Sequence, residues 1–289
     1  MENDTQGILA SWKDQNAGGS GAREEILTFV AAVTTAGADF VPPEERIAVF
    51  DNDGTLWGEQ PDYVQVVFME SRAAAGSPDH DETIEEYQAA VMDWLATETH
   101  PGGMSYRDMV YQPMLELLDY LRANEFKVFI VSGGGREFVR PWSEESYGIP
   151  PEQVIGSNAR TAYREDPPAV IRMPTSAVPG SERKYEETFF VDDKGGKVVG
   201  INNHIGRRPI AAFGNSDGDK QMLEWTTSGD GLRFGLLLDH TDGVREYDYS
   251  NGDVNPNVGH LGEETRQAAA DNNWTVVDMA TDWATVYPS

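Results

Sequence analysis

Two aspartates separated by one residue, Asp51 and Asp53, come directly after the apolar run 47–50. We interpret this run as a short buried strand, and open α/β sheets bind their ligands at the carboxyl ends of strands. There one carboxylate can attack an electrophilic phosphorus, while a second carboxyl group protonates the departing oxygen and later takes a proton from water. Gly54 allows a sharp turn over the strand end, and Thr55 can hydrogen-bond to one of the acids. An acidic turn in solvent has the same spacing, and remains the alternative.

Residues 51–55 resemble the first motif of the haloacid dehalogenase superfamily of phosphohydrolases, which is Asp-x-Asp-Gly-Thr after a hydrophobic strand. The apolar run 126–131 is followed by Ser132, Gly133 and Gly134, which resemble the second motif of that superfamily. A hydroxyl and adjacent backbone N–H groups at such a strand end can hold a phosphoryl oxygen. The motifs therefore arrive in the order that the resemblance requires.

Two further motifs follow. Lys197 resembles the lysine of the third motif, a positive charge beside the nucleophile. After an apolar run at 209–213, the segment 214–222 is similar to the fourth motif, Gly-Asp-x-x-Asn-Asp-x-x-Met, whose acids bind magnesium. This chain departs from the pattern, because Asn215 stands at the first acid position and Gly218 at the asparagine position.

The resemblance implies a magnesium-dependent phosphomonoesterase that acts on a small phosphorylated metabolite through an aspartyl phosphate. The expected catalytic residues are Asp51, Asp53, Ser132 and Lys197. The expected phosphate- or substrate-binding residues are Thr55, Gly133, Gly134 and Arg136. The expected ligands of Mg²⁺ are Asp51, Asp53, Asn215 and Asp219, with Asp217 as a substitute ligand. Arg136 is included for its position four residues beyond Ser132, although an arginine there often only pairs with a surface acid.

Within the superfamily, a branch similar to phosphoserine phosphatases fits best. A dehalogenase is disfavoured because its chemistry has no use for the acid at Asp53. Two alternatives remain open at this stage. One is a non-catalytic protein that binds a phosphorylated ligand, which is motivated by Asn215 in place of an acid. The other is a phosphotransferase of the same superfamily.

The sequence predicts an α/β fold with a doubly wound, mostly parallel sheet and a small helical cap. The expected core comprises 1–56 and 113–289, and the cap comprises 57–112, where apolar residues recur at helical spacing. Connections between a strand and the next helix usually need only a few residues, so an insertion of this length should form its own structure. In the superfamily such an insertion is a lid over the site. Helices that only pack on the core are the alternative.

Other elements are predicted from apolar periodicity. Expected helices cover 24–35 and 115–121. Expected further strands cover 153–156, 188–191, 234–238 and 274–278. The Pro-rich segment 157–183 is expected to be turn-like, and the polar segment 1–21 to be loosely ordered.

Composition restricts the partners. Asp and Glu number 49 against 22 Lys and Arg, for a formal net charge of -27, and such a chain repels a nucleic acid. Dispersed carboxylates are typical of proteins that work in concentrated salt, where repulsion is screened, although an ordinary acidic protein fits equally well. No cysteine is present, which excludes disulfides and thiolate metal sites.

The sequence lacks segments that would direct a protein into a membrane or out of the cell. It has no apolar stretch near the roughly 18 residues that cross a bilayer, so we expect no membrane partner. Its first residues lack the basic start and apolar middle of a secretion signal, so we expect a cytoplasmic protein unless a leader was trimmed. The expected partner is a small-molecule phosphate ester, and the oligomeric state stays open.

Overall fold

A parallel sheet carries the predicted motifs at its carboxyl edge. A computed structural model describes residues 7–77, 82–173, 188–252 and 254–288. In these ranges the strands are β1 (Ile47–Phe50), β2 (Lys127–Gly135), β3 (Val154–Ala159), β4 (Thr161–Glu165), β5 (Pro168–Arg172), β6 (Thr188–Phe190), β7 (Ala211–Gly214), β8 (Phe234–Asp239) and β9 (Thr275–Asp278). Seven of them form one sheet in the order β6-β3-β2-β1-β7-β8-β9. All neighbours are parallel except β6, which runs antiparallel to β3, so the predicted fold class is confirmed.

Helices cover both faces of this sheet. In the described ranges they are α1 (Ala22–Thr34), α2 (Val64–Ala74), α3 (Ile84–Thr97), α4 (Gln112–Ala123), α5 (Arg136–Tyr147), α6 (Gly195–His204), α7 (Lys220–Thr227), α8 (Glu263–Asn272) and α9 (Met279–Asp282). No helix in these ranges is both long enough and apolar enough to span a bilayer.

The central strand β1 shows why the sheet needs helices on both sides. Ile47 and Val49 belong to one apolar cluster, whereas Ala48 and Phe50 belong to another. Side chains alternate between the two faces of a strand, so an uninterrupted apolar run is the pattern of a strand buried on both faces. The amide of Asp51 still donates to the carbonyl of Phe213, at 2.9 Å, which fixes the first acid at the strand end.

β3 extends to Ala159 and is followed by a β-hairpin of β4 and β5, so the expectation of turns is wrong for 157–159 and 161–172. The prolines misled the prediction, because Pro167 lies in the tight turn and Pro168 is the first residue of β5, and both places tolerate a proline. The hairpin packs beside α3, and Thr83 and Ile171 form a bridge. Residues 174–183 of the predicted turn-like segment lie outside the described residues.

The amino-terminal segment also differs from the prediction. Leu9 and Trp12 are buried, and the Trp12 ring packs edge-on against Trp283 at 5.9 Å between centroids. The Trp12 indole N–H donates to the carbonyl of Pro113 at 2.9 Å. The expectation of loose order is therefore wrong for 7–21, because two apolar residues in a polar segment are enough to anchor it to the core. Residues 1–6 lie outside the described part.

Candidate active site

The predicted motifs meet at a cavity of about 480 Å³ at the carboxyl edge of β1 and β2. Among the predicted site residues, those that line it are Asp51, Asp53, Gly133, Gly134 and Lys197. Further lining residues that the sequence did not single out for the site include Glu59, Tyr63, Gln65, Asn158 and Asp193. The first, second and third motifs thus contribute side chains or backbone to one cavity.

Lys197 ties the first motif to the fourth. Its ammonium Nζ donates to Oδ1 of Asp51 at 2.5 Å and to Oδ1 of Asp219 at 2.6 Å. The lysine reaches this position from the first turn of α6, and its side chain is only 2 % exposed. Burial works against the charge, but the carboxylates of Asp219 and Asp51 together raise the pKa of Lys197. The lysine therefore stays charged and places a cation against Asp51.

Asp219 is fully engaged by protein groups. Its Oδ1 accepts a hydrogen bond from the ammonium of Lys197. Its Oδ2 accepts hydrogen bonds from the backbone N–H groups of Asn215 at 3.0 Å and Ser216 at 3.1 Å. Gly214 allows this close approach, since a Cβ atom there would lie 2.5 Å from the Asp219 side chain. Asp219 therefore fixes both Lys197 and the loop after β7. A metal ligand would have to face the cavity, but Asp219 does not line it.

The two acids of the first motif differ in their surroundings. Burial raises the pKa of Asp51 well above its ordinary value; Asp219 adds to the shift and Lys197 opposes it. Burial also raises the pKa of Asp53, to about 6, against the opposing effects of Lys197, the Asn52 amide and the Ser132 hydroxyl. Asp53 is thus suited to carry a proton near neutral pH, whereas Asp51 has the lysine that favours its charged form.

The turn after Asp53 is fixed from behind. Gly54 has φ 75°, the left-handed region that favours glycine. Its carbonyl lies 2.6 Å from Nε2 of His240, whose Nδ1 lies 2.9 Å from the Glu246 carboxylate. His240 is buried and stacks on Tyr249 at 4.3 Å between centroids. No motif in the sequence marks His240 for this contact to the turn of the first motif.

The second motif forms a glycine loop beside the acids. The N–H of Gly134 donates to Ser132 Oγ at 3.0 Å, and the N–H of Gly135 donates to Gln65 Oε1 at 2.6 Å. Ser132 is itself completely buried and interacts with Asp53. The cavity wall here is therefore the backbone of Gly133 and Gly134, with Ser132 behind it.

Two residues predicted at the site bind elsewhere. Arg136 does not line the cavity; its Nε donates to Glu137 at 2.9 Å, because α5 begins at Arg136 and directs the side chain along the helix. Asp217 accepts hydrogen bonds from Gly262 N at 2.9 Å and Thr265 Oγ1 at 2.5 Å, at the start of α8. Arg136, predicted to bind substrate, and Asp217, predicted as a substitute ligand, thus have these protein partners and do not line the cavity.

Thr55 has a different partner from the one predicted. It is fully buried, and its hydroxyl lies 3.2 Å from Oδ1 of Asn215 instead of bonding to either acid of the first motif. The turn at Gly54 directs the Thr55 side chain towards the loop after β7. Thr55 thus orients Asn215 and does not line the cavity.

Glu59 is the functional candidate that the sequence analysis missed. It lines the cavity, is 1 % exposed, and its Oε1 accepts hydrogen bonds from Asn215 Nδ2 at 2.7 Å and from Tyr249 at 3.0 Å. Burial raises its pKa well above the ordinary value, and Asp53 and Asp51 add to the shift. One signal could have found it: it is the first charged residue after the first motif, in an otherwise apolar stretch.

The oxygen donors of this site suit a divalent cation. Three carboxylates, those of Asp51, Asp53 and Glu59, line one cavity, and Lys197 already contacts Asp51 and Asp219. Burial raises the pKa of all three, so the protein leaves their negative charge under-compensated. Over the described ranges no three His, Asp or Glu side chains form a complete metal-holding group. This fits Mg²⁺, which proteins usually bind through one or two carboxylates while the ion keeps several of its waters.

Asp192, beside the cavity, provides a stability prediction. It is completely buried, and neither carboxylate oxygen has a hydrogen-bond partner among the residues described. Burial raises its pKa from 3.8 to about 7, with Lys197 opposing the shift. A folded-state pKa above the unfolded one means that the protein loses stability as pH rises from about 4 to about 7.

We therefore expect Asp192→Asn to raise the Tm at pH 8 and to change it little at pH 4. Thermal melts of both proteins across this range measure the difference. The neighbouring, exposed Asp193→Asn is the matched control and should shift the Tm by a similar small amount at both pH values. A Tm gain at pH 4 equal to that at pH 8 would contradict the raised pKa of Asp192 as its cause.

Comparisons with known proteins agree with this geometry. The family model of haloacid dehalogenase-like hydrolases matches residues 48–224. Comparison with curated protein sequences gave no match. A functionally unknown protein from Anaerococcus prevotii is a structural neighbour at 14 % identity and TM-score 0.52, covering 88 % of this chain and 90 % of that one. A phosphoserine phosphohydrolase-like protein from Francisella tularensis has 15 % identity, TM-score 0.41, and coverage of 78 % and 98 %. Such identities indicate a shared fold only.

Proposed function

Because the chain belongs to the haloacid dehalogenase-like hydrolase family, we propose that it is a magnesium-dependent phosphomonoesterase that forms an aspartyl phosphate on Asp51. One observation carries the proposal: Asp51 lines the cavity while Lys197 contacts it at 2.5 Å, with the proton-carrying acid Asp53 two residues away. Nucleophile, cation and acid are the groups that phosphoryl transfer through a covalent intermediate requires.

The first step uses both acids of the first motif. An Asp51 carboxylate oxygen attacks phosphorus, the bond from phosphorus to the ester oxygen breaks, and the proton of Asp53 passes to the departing alcohol. The raised pKa of Asp53, about 6, supports a protonated form for this step. Water then attacks the phosphorus of the aspartyl phosphate as Asp53 takes its proton. Inorganic phosphate leaves and Asp51 is regenerated.

Charge on the phosphoryl oxygens must be stabilised throughout. We assign this to the ammonium of Lys197 and to the backbone at Gly133 and Gly134. Magnesium would be held by Asp51 and the backbone carbonyl of Asp53, and when bound it would neutralise charge on the transferring group. Asn215, which the sequence predicted as a ligand, does not line the cavity and donates to Glu59. Asp219 is left out of this ligand set because both of its oxygens already have protein partners.

We propose that residues 57–112 act as a cap that selects the leaving group. Part of the cavity wall comes from this insertion; its cavity-lining members are Glu59, Tyr63, Gln65, Val66 and Met69. Gln65 also accepts from the N–H of Gly135, so the insertion is joined to the phosphate loop. A substrate must therefore fit between the cap and the motifs.

A test of activity separates this proposal from the second candidate, a non-catalytic binder favoured by Asn215 at an acid position. We expect the purified protein to turn over p-nitrophenyl phosphate steadily with Mg²⁺, to stop with EDTA, and to resume when Mg²⁺ is restored. A panel of phosphorylated metabolites would then identify the substrate. Binding of phosphate esters without any turnover in Mg²⁺ would favour the binder and contradict the enzyme.

A further inference from the structure

We infer that Glu59 supplies the metal-site carboxylate that Asn215 lacks. The inference rests on the proposed function for the metal itself, but concerns which side chain carries the charge. It assigns Glu59 as a ligand of Mg²⁺ and Asn215 as the residue that orients it.

The geometry of Glu59 supports a ligand with one free oxygen. Its Oε1 receives two hydrogen bonds, from Asn215 and from Tyr249. Its Oε2 has no protein partner in the part of the chain that the structure describes, and the residue lines the same cavity as Asp51 and Asp53. Oε1 is thus held by the protein, and Oε2 is left free to take a cation from the cavity.

Asn215 is explained by the same contact. Its Nδ2 donates to Glu59 at 2.7 Å, whereas an aspartate at 215 would place two carboxylate oxygens at that distance. Like charges so close disfavour ionisation of both groups. The carboxylate of Glu59 therefore favours an amide at position 215. With Glu59, the site keeps the negative charge that the family usually places on the fourth motif.

Gly54 places this pair against the first motif. A Cβ atom on Gly54 would lie 2.0 Å from Asn215 Nδ2 and 2.2 Å from Glu59 Oε1, so the pair packs directly on the turn that follows Asp53. Any cation held by Asp51 and the backbone of Asp53 would meet Glu59 as its next carboxylate. This proximity distinguishes Glu59 from an acid elsewhere on the cavity wall.

Metal binding measured without substrate tests the assignment directly. Mn²⁺, which takes the same oxygen ligands and is visible by electron paramagnetic resonance, is titrated into wild type, Glu59→Gln, Asn215→Asp and the double variant. We expect Glu59→Gln to weaken Mn²⁺ binding about tenfold or more. The double variant should recover most of the affinity, because it restores a carboxylate beside the first motif. Tyr249→Phe is the control, since it removes a donor to Glu59 but no charge, and should weaken binding far less.

Thermal melts keep the test decisive if Glu59→Gln does not fold. Asn215→Asp should lower the Tm of the metal-free protein, because two carboxylates then face each other, and should gain more Tm from Mn²⁺ than wild type does. Wild-type affinity in Glu59→Gln, no recovery in the double variant, or no Mn²⁺ binding by wild type would each overturn the inference. Lack of turnover with these binding results intact would instead contradict only the proposed function.

Discussion

Replacing Asp51 by Asn is expected to lower kcat for p-nitrophenyl phosphate by about three orders of magnitude or more, because an amide cannot form the acyl phosphate. The fold should persist, since Asn has nearly the same shape and its amide oxygen can still accept from Lys197. Steady-state kinetics with Mg²⁺ and a thermal melt of the same preparation measure both properties.

The exposed Asp230→Asn makes the same chemical change away from the cavity and should leave kcat and Tm unchanged. Comparable turnover by wild type and the Asp51 variant would mean that the phosphoryl group is transferred directly to water, or that another residue is the nucleophile.

Replacing Lys197 by Met is expected to cost about 3–5 kcal/mol of unfolding free energy, because it leaves Asp51 and Asp219 buried without their shared cation. Activity should be lost as well, since the lysine stabilises charge on the phosphoryl oxygens. Urea denaturation at pH 7 followed by circular dichroism gives the free energy, and the aryl phosphate assay gives the activity.

Lys194→Met is the matched control, because Lys194 precedes the same helix but is exposed. Its unfolding free energy should stay close to that of the wild type. A Lys197 variant as stable as this control would show that the two carboxylates are protonated or otherwise compensated in the folded protein.

Local sequence patterns predicted the sheet and the motifs well. The run 47–50 is β1 as expected, since four consecutive apolar residues before two acids suit only a strand covered on both faces. The sequence predicted a strand at 188–191, and the structure has β6 at Thr188–Phe190. Its antiparallel direction was not predicted, because direction depends on the partner strand. Direction and order in a sheet are properties of the fold and not of a short segment.

Contacts between distant segments could not be predicted in the same way. Glu59 meets Tyr249 across 190 residues, and His240 meets Gly54 across 186. No periodicity relates such pairs. The partner of Thr55 was wrong for the same reason, because Asn215 enters from a separate strand. The residues of a motif were thus predictable, while the side chains that orient them were not.

Chemical quenching of the enzyme during turnover tests the central claim most directly. Protein mixed with excess p-nitrophenyl phosphate and Mg²⁺ is stopped in acid, which preserves acyl phosphates, and the modified peptide is located by mass spectrometry. We expect a phosphoryl group on Asp51 that is absent from Asp51→Asn and from protein quenched before substrate is added. Active enzyme that carries its phosphoryl group on another residue would contradict this expectation, as would turnover with no phosphorylated peptide at any quench time.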